Sequence, residues 1–245
     1  MQLRMYIEEQ IEMSRPIALD DIQRHHLINV LRVKAGQEVI CFDDKNEWLC
    51  LVEVVDKRMC VVSPKTLIRT KKEGGKEYAL FFSIVKSNAI HDILSNAVQM
   101  GVTEINPVIT RRSGISTINE GKCKKIIVGS ACQCNTIGLP KFNQTLKLKE
   151  AINDVDFPIL IANERISRED AEHDQFVAIE NLKEKLKDKT KIGIIIGPEG
   201  GFCADELQDI RENKNVHEIS LGENILRSEI ATTVAMQLAK IILNG

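Results

Sequence analysis

The stretch KIGIIIGPEGGF, residues 191–202, decides the fold of the second half of this chain. Its first six residues are almost entirely apolar, which is typical of a strand buried on both faces of a parallel sheet. The next six contain three glycines and one proline, so we expect a tight turn directly after the strand. The stretch LGENILRSE, residues 221–229, closes a second predicted strand, residues 216–221, in the same way.

Strands and helices alternate outward from these two loops. Predicted strands cover residues 79–85, 105–109 and 158–162. Predicted helices cover residues 121–134, 176–186, 204–213 and 228–243, and another runs from a cap at Ser87 or Asn88 to Gly101. This alternation indicates an α/β domain with a mostly parallel sheet. Ligands of such sheets bind beyond the carboxyl ends of the strands, which is where both loops lie.

The first part of the chain has a different pattern. Short β-rich segments at residues 5–7, 38–42, 48–55 and 59–64 are separated by turn signals. A helical segment at residues 20–30 has Asp20 as its cap. Together these features predict a small β-barrel. The polar segment 70–77 is the best linker, so we divide the chain into a barrel, residues 1–72, and an α/β domain, residues 73–245.

The composition is that of an ordinary soluble globular protein. The 245 residues are 43% apolar and 28% charged, and no apolar run approaches the roughly 20 residues that a membrane span requires. The amino terminus has no basic segment leading into an apolar one, so we expect no secretion signal and a cytoplasmic location. Seven cysteines without a C-x-x-C pair indicate reduced, mostly buried thiols, and we expect no metal site.

The net charge of −2 hides an uneven distribution of charge. Residues 111–149 contain eight basic residues and one acidic residue, whereas residues 150–245 contain 11 basic and 19 acidic residues. A basic stretch on a nearly neutral protein is typical of a surface that binds a polyanion such as RNA. A solvated basic helix face is the alternative, and the charge pattern alone leaves both open.

Neither glycine loop matches the motifs that bind nucleotide phosphates, and neither forms the nucleophile elbow of a hydrolase. An ordinary tight turn between strand and helix would explain one such loop. Two of them, one with Glu199 and the other with Arg227, favour a ligand site. Glycine at these positions would let backbone groups approach a ligand without a side chain in the way.

The combination of GPEGGF with LGxxILRSE at the start of the last helix resembles the RsmE-type 16S rRNA uridine N3-methyltransferases. These enzymes belong to the knotted SPOUT class, which uses S-adenosylmethionine. HHLINVLR, residues 25–32, is similar to a signature of the PUA-like domain of that family. The resemblance extends from the first strand to the last helix, so it covers essentially the whole chain.

The resemblance implies a deep trefoil knot, a PUA-like barrel that binds RNA, and a homodimer that acts on 16S rRNA or the small ribosomal subunit without a metal ion. S-adenosylmethionine would lie bent in the knot, held mainly by the two loops. Its expected contacts are Ile196, Gly197, Glu199, Gly201, Leu221, Gly222, Ile225, Leu226 and Arg227. RNA would be captured by Arg32, His26, Lys86, Arg111, Arg112, Lys122, Lys124 and Lys125.

Methyl transfer to uridine N3 requires that the ring nitrogen lose its proton. A proton acceptor, and a positive group beside the negative charge on O2 or O4, would therefore help. We expect Glu199 to accept the proton and Arg227 to stabilise the charge. Alternatively, Glu199 holds its own loop through backbone N–H groups, and Arg227 pairs with Glu229 or Glu199.

The chain departs from the family pattern in several places, among them Asn96, Gln99, Gly129, Thr136 and Ile230. The cofactor loops are mostly intact, and the expected RNA-facing side has diverged. Two alternatives therefore stay open: a non-catalytic RNA-binding dimer of the same fold, and a knotted methyltransferase with a different RNA target.

Overall fold

The computed structural model describes residues 3–30, 32–85, 87–115, 117–153, 155–162, 179–222 and 224–244. The chain forms two compact units. The first contains Met1–Glu73 and Val128–Leu139, and the second contains Gly74–Ile127 and Pro140–Gly245. Each unit has its own sheet and its own apolar core. The domain boundary between residues 72 and 73 stays a prediction.

The first unit is built on a five-stranded sheet. Its strands are β1 (Arg4–Tyr6), β2 (Ile17–Ala18), β3 (Glu38–Phe42), β4 (Asn46–Val55) and β5 (Cys60–Thr70). They lie in the order β1-β3-β4-β5-β2, with β1 parallel to β3 and the other neighbours antiparallel. Alternate residues such as Val39, Cys41, Cys50, Val52 and Val62 are buried together in one core. The four predicted segments correspond to β1, β3, β4 and β5, whereas β2 was not predicted and β5 runs on to Thr70.

The helical segment of the first unit begins at the predicted cap. Asp20 Oδ1 accepts the N–H of Gln23 at 2.7 Å, and Gln23 Oε1 accepts the N–H of Asp20 at 3.0 Å. The helix α1 covers only Asp21–His25, and a π-helical turn, His26–Val30, follows it. Arg32 then has a φ of +52°. Both a π-turn and a left-handed non-glycine residue are uncommon, and both occur often at functional sites.

The second unit is built on a sheet in which every described strand pair is parallel. Its strands are β6 (Glu77–Ser83), β7 (Glu104–Ile109), β8 (Lys141–Phe142), β9 (Leu146–Lys147), β10 (Ile159–Ala162), β11 (Lys191–Ile196) and β12 (Val216–Ile219). Their order is β12-β10-β11-β6-β7-β8, and β9 also pairs with β7. The predicted α/β fold with a mostly parallel sheet is confirmed.

Helices cover both faces of this sheet. They are α2 (Ser87–Gln99), α3 (Glu120–Gln133), α4 (Leu148–Asn153), α5 (Ile179–Leu186), α6 (Ala204–Glu212) and α7 (Ser228–Asn244). Ala79, Phe81 and Ile195 share a core with residues of α4 and α6. Leu80 and Ile194 alternate with them, point to the other face and are also fully buried. Of the helix predicted over residues 176–186, the first three residues lie outside the described ranges.

Within the described ranges, no helix is both long and apolar enough to cross a membrane. No group of three or more histidine, cysteine, aspartate or glutamate side chains there could hold a metal ion. The seven cysteines are free thiols, and three of them, Cys41, Cys50 and Cys60, lie in the core of the first unit. Burial raises the pKa of the Cys60 thiol, in keeping with a packing role.

The carboxylate of Glu47 in β4 joins distant parts of the first unit. Arg4 Nε donates to Glu47 Oε1 at 2.8 Å, and Arg69 forms a second ion pair with the same carboxylate. The side chains of Glu47 and Arg4 are only 5% and 4% exposed. The two guanidinium groups also donate to four main-chain carbonyls, those of Ala131, Cys132, Asn135 and Thr136. These bonds tie residues 128–139 to the sheet of the first unit.

The same contacts set the acidity of Glu47. Burial alone would raise its pKa, but the hydrogen bonds from Arg69 and Arg4 outweigh this effect and leave the pKa below its usual value near 4.5. The cluster therefore stabilises the fold fully above that usual value. Its contribution is lost as the pH falls through the lowered pKa of the folded state.

We expect Glu47→Gln to lower the free energy of unfolding by about 3 kcal/mol at neutral pH, because Arg4 would keep a buried charge without its carboxylate. In urea unfolding, the difference from the wild type should shrink below about pH 4. Glu53→Gln is the matched control, since its pair with Lys65 spans 3.6 Å at the surface. That pair should contribute less than about 1 kcal/mol. Equal losses in the two variants would contradict a special effect of the buried cluster.

Candidate active site

Both glycine loops leave the sheet of the second unit at the same edge. Ile161 of β10 pairs with Ile195 of β11, and Ala162 pairs with Ile219 of β12. Because β10 lies between β11 and β12, the two loops start at nearly the same level, about two strand spacings or 10 Å apart. The strands are parallel, so this edge carries their carboxyl ends, where open α/β sheets bind ligands. The register thus supplies the geometric basis for a shared site.

The first of these loops, the 197–202 loop, turns sharply after β11. Gly201 N donates to Pro198 O at 2.8 Å and closes a turn whose tip is Glu199 and Gly200. Both tip residues are exposed, whereas Phe202 is 5% exposed and belongs to the core. Gly201 has a φ of +66°, a conformation that favours glycine. The loop is therefore anchored at its base by an aromatic ring and presents its tip to solvent.

The reason for glycine at position 197 differs from the one the sequence suggests. A Cβ at Gly197 would lie 2.9 Å from Cε2 and Cζ of the Phe202 ring, which is closer than carbon atoms normally approach. The ring of Phe202 thus occupies the space beside Gly197. At this position the structure explains glycine by packing within the protein, and not by the approach of a ligand.

The second loop, the 220–227 loop, depends on a glycine of another kind. Gly222 has a φ of +119°, and no described atom lies within 4 Å of the place where its Cβ would be. Ser220 Oγ accepts the N–H of Gly222 at 3.2 Å. Ile225 is 79% exposed, and α7 starts as Ala231 N donates to Arg227 O at 2.8 Å. A ligand could therefore cover the open space beside Gly222 and the exposed apolar side chain of Ile225.

The two residues proposed for chemistry, Glu199 and Arg227, are both exposed, one in each loop. The other predicted cofactor contacts are more sheltered, since Ile196 is buried and Leu221 and Leu226 are half-buried. Within the described part of the chain, no ion pair joins Arg227 to Glu199 or to Glu229. The alternative in which Arg227 serves such a pair is therefore not seen here.

A third segment reaches the same edge, and it carries two of the predicted RNA-binding residues. Arg111 and Arg112 follow β7. Arg112 Nη1 donates to Gly200 O at 2.7 Å. The main-chain N–H of Arg111 donates to Glu206 Oε1 at 2.7 Å, and its guanidinium pairs with Asp205 at 2.9 Å. Both arginines thus have partners in the 197–202 loop or in α6.

The remaining predicted RNA-binding residues are exposed where the structure describes them. Lys122, Lys124 and Lys125 lie on the first half of α3, in the second unit. His26 and Arg32 lie in the first unit, His26 at the start of the π-turn and Arg32 two residues after its end. Lys86 lies outside the described residues.

The departures from the family pattern occupy different environments. Asn96 Nδ2 donates to Glu229 O at 3.2 Å and so joins α2 to the first turn of α7, where Ile230 is 48% exposed. Gln99 bonds within its own helix, to Ser95. Outside its own helix backbone, no described atom lies within 4 Å of the place where a Cβ of Gly129 would be, and Thr136 accepts a hydrogen bond from Arg4 through its carbonyl. Only the Asn96 contact reaches α7 directly after the 220–227 loop.

Sequence reasoning missed one residue of this region, Glu206. Its side chain is 8% exposed, and its two oxygens accept the N–H groups of Arg111 and Cys203. A glutamate three residues after a helix cap is a known capping signal, but cysteine is a weak cap, so the pattern did not stand out. The partner on the β7 side is nearly a hundred residues away in sequence and could not be predicted.

Comparison with known families identifies the class of protein that this fold defines. A family model described as an RNA methyltransferase domain matches residues 72–240. A second, described as an RNA methyltransferase PUA domain, matches residues 19–65 and confirms the predicted PUA-like domain. The first match covers well over half of the chain, so the class is that of the RNA methyltransferases.

Individual relatives narrow this class. The ribosomal RNA small subunit methyltransferase E of Rickettsia conorii is 27% identical over 241 residues, 98% of this chain and 95% of that protein. The protein of the same name from Mesomycoplasma hyopneumoniae is 30% identical over 211 residues, 83% of this chain and 85% of that one. The chain belongs to the ribosomal RNA small subunit methyltransferase E family, as its motifs suggested. The methyltransferase names of these relatives do not favour the non-catalytic alternative.

Solved structures share the fold over nearly the whole chain. The ribosomal RNA small subunit methyltransferase E of Neisseria gonorrhoeae, solved with S-adenosylmethionine, has a TM-score of 0.79 at 20% identity and covers 99% of this chain and 98% of its own. The protein Lpg2936 of Legionella pneumophila, also solved with that cofactor, has a TM-score of 0.82 at 22% identity, with 98% of each chain covered. At these identities the similarity establishes the fold.

We expect Gly197→Ala to lower the free energy of unfolding by about 1–3 kcal/mol, because the new methyl group would overlap the Phe202 ring. Adding Gly197→Ala to the Phe202→Leu variant should lower the free energy of unfolding by less than Gly197→Ala does in the wild type. The smaller leucine side chain leaves room for the new methyl group. Urea unfolding of the four proteins measures this coupling. A Gly197→Ala protein of wild-type stability that no longer binds a cofactor would contradict the packing explanation.

Proposed function

We propose that this protein transfers a methyl group from S-adenosylmethionine to N3 of a uridine in the 16S ribosomal RNA of the small subunit. Membership of the methyltransferase E family supports the reaction class and the ribosomal RNA substrate. The main structural support for the proposal is that both glycine loops leave the carboxyl edge of the sheet at the same position in the strand register. The choice of N3 rests on the resemblance of the motifs.

The residues of the two loops suit S-adenosylmethionine chemically. When bound, this cofactor supplies a methyl group on a positively charged sulfonium. No described atom lies beside the Cα of Gly222 where a side chain would be, and Ile225 offers an apolar surface for an adenine ring. Glu199 offers an exposed carboxylate to the positively charged sulfonium. The residues proposed to hold the cofactor are Ile196, Gly197, Glu199, Gly201, Leu221, Gly222, Ile225, Leu226 and Arg227.

The chemistry asked of the protein is proton removal and charge stabilisation. We assign Glu199 as the acceptor of the uridine N3 proton and Arg227 as the cation beside the developing charge on O2 or O4. Both are exposed, so both can reach a substrate that docks against the loop tips. Alignment of the two reactants supplies much of the acceleration in reactions of this type, worth up to about 7–11 kcal/mol.

RNA capture is proposed for the exposed cations outside the loops. Three lysines on α3 act as point charges for phosphates, namely Lys122, Lys124 and Lys125. In the PUA-like unit, Arg32 and His26 contact the RNA. Lys86, outside the described residues, and Arg111 belong to the same proposal. Affinity should then fall steeply as salt rises, because phosphate contacts release counterions.

The resemblance also leads us to propose a trefoil knot in the C-terminal segment and a homodimer. Exposed apolar side chains on α7, Ile230 at 48% and Ile241 at 40%, support a protein partner for that helix. Analytical ultracentrifugation tests the dimer, and a monomer at micromolar concentration would contradict it.

The decisive test is incubation of unmodified small ribosomal subunits with labelled S-adenosylmethionine, followed by nucleoside analysis. Label in N3-methyluridine is the expected result. Label in another nucleoside would favour the alternative of a different RNA target, and binding of cofactor without transfer would favour the non-catalytic alternative.

We expect Arg227→Ala to lower the rate of methyl transfer about 100-fold, because it removes a charge aimed at the transition state. The dissociation constant of S-adenosylmethionine, measured by calorimetry, should change far less. Lys214→Ala, an exposed cation before β12 at the opposite edge of the sheet, is the control and should leave both values unchanged. Equal losses of rate and affinity in Arg227→Ala would show that Arg227 only binds the cofactor.

We expect Arg32→Gly to bind RNA more weakly without loss of stability. Glycine adopts the φ of +52° without strain, so the free energy of unfolding should stay level or rise by up to about 1 kcal/mol. The slope of the logarithm of RNA affinity against the logarithm of salt concentration should fall by the amount of about one phosphate contact. Arg32→Lys keeps the charge and should retain most of the affinity. Wild-type RNA binding by Arg32→Gly would remove Arg32 from the proposed surface.

A further inference from the structure

We propose that Arg112 and Glu206 are positioning residues of the 197–202 loop, and that Arg112 serves this loop rather than RNA. The inference rests on the proposed function, because it assumes that the loop binds S-adenosylmethionine. It changes the role that the sequence suggests for Arg112 and adds a residue, Glu206, that the sequence did not suggest.

Arg112 fixes one peptide group at the tip of the loop. Its Nη1 donates to Gly200 O at 2.7 Å, and the N–H of the same peptide group, from Gly201, donates to Pro198 O at 2.8 Å. Both ends of the Gly200–Gly201 peptide are therefore hydrogen-bonded. The stem of Arg112 also covers Gly200, with its Cβ and Cδ each 3.4 Å from the place of a Cβ there. This peptide begins one residue after Glu199, so fixing it restricts the backbone conformations open to the proposed proton acceptor.

Glu206 holds the other end of the loop. Its Oε1 accepts the N–H of Arg111 at 2.7 Å, and its Oε2 accepts the N–H of Cys203 at 2.8 Å. One buried carboxylate thus joins the segment after β7 to the residue where the loop enters α6. Hydrogen bonds to a charged group are stronger than neutral ones, and they gain further strength when water is excluded.

Both contacts come from the same hydrogen-bonded turn, which follows β7. Ser113 N donates to Thr110 O at 3.1 Å, and the hydroxyl oxygens of Thr110 and Ser113 are 2.8 Å apart. Arg111 and Arg112 lie inside this turn, and Thr110 is buried. The loop after β11 is therefore braced from β7, two strands away in the sheet. Such bracing favours binding because the loop loses less conformational freedom when a ligand arrives.

The first experiment measures S-adenosylmethionine affinity by calorimetry without RNA. Arg112→Met keeps the stem and removes the hydrogen bond, and we expect about tenfold weaker binding. Lys149→Met is the matched control, because Lys149 Nζ donates to Asp209 Oδ1 of the same helix α6 at 2.7 Å but does not touch the loop. Glu206→Gln should behave like Arg112→Met, and Asp209→Asn like the control.

The second experiment separates this role from RNA binding and from general stability. For Arg112→Met, the KM for S-adenosylmethionine should rise while the KM for RNA, its salt dependence and the Tm stay at wild-type values. Arg112→Lys, which keeps a donor, should restore part of the cofactor affinity. Unchanged cofactor affinity with a salt dependence reduced by about one phosphate contact would make Arg112 an RNA ligand and overturn the proposal. Loss of affinity in proportion to a lower Tm would also overturn it.

Hydrogen exchange of the free protein tests the brace without any cofactor. The amide of Gly201 should exchange several-fold faster in Arg112→Met, and that of Cys203 faster in Glu206→Gln, while amides of β6 keep their protection. Unchanged exchange at both positions would overturn the proposal. If the wild-type protein failed to bind S-adenosylmethionine, the proposed function would fail, and the exchange rates would still decide whether the brace exists.

Discussion

The parallel pairing of β10 with β11 on one side and β12 on the other is the constraint on which the candidate site depends. This pairing sets Ile196 and Ile219 level, so the chain leaves the sheet twice at one edge. A slip of one residue would turn every side chain of a strand to the opposite face. In β11 that slip would move isoleucines out of well-packed positions on both faces. The burial of apolar side chains therefore keeps the two loops in register.

Different forces shape the two loops. The 197–202 loop is held by the packing of its own Phe202 ring, which lies beside Gly197 and belongs to the core, and by polar contacts from the segment after β7. The 220–227 loop relies on its own backbone, with a left-handed glycine at 222 and a helix start at Arg227. One loop is thus fixed by tertiary contacts and the other mainly by local conformation. Together they leave exposed Glu199 and Arg227 at the same edge of the sheet.

Local patterns were enough to predict much of this architecture. The apolar run at 191–196, the Asp20 cap and the alternation of strands and helices all report on short-range forces, and each is found in the structure. Contacts across long sequence distances were out of reach. The bond from Glu206 to Arg111 and the assignment of residues 128–139 to the first unit both depend on such contacts. The reason for Gly197 was missed because nothing in a sequence tells which ring will lie beside it.

The Glu47 cluster has a consequence for how this protein can evolve. Arg4 and Arg69 bind residues 131–136 through main-chain carbonyl oxygens, which every amino acid supplies. These bonds place no demand on the side chains of that segment, so those that are neither buried, as Ala131 is, nor held at a positive φ, as Asn135 is, can change while the backbone keeps its path. Gly129 and Thr136, two positions where this chain differs from its family pattern, lie in or beside this stretch. Substitutions can therefore change the exposed surface here during evolution, while the two arginines and the glutamate keep the backbone of the segment in place.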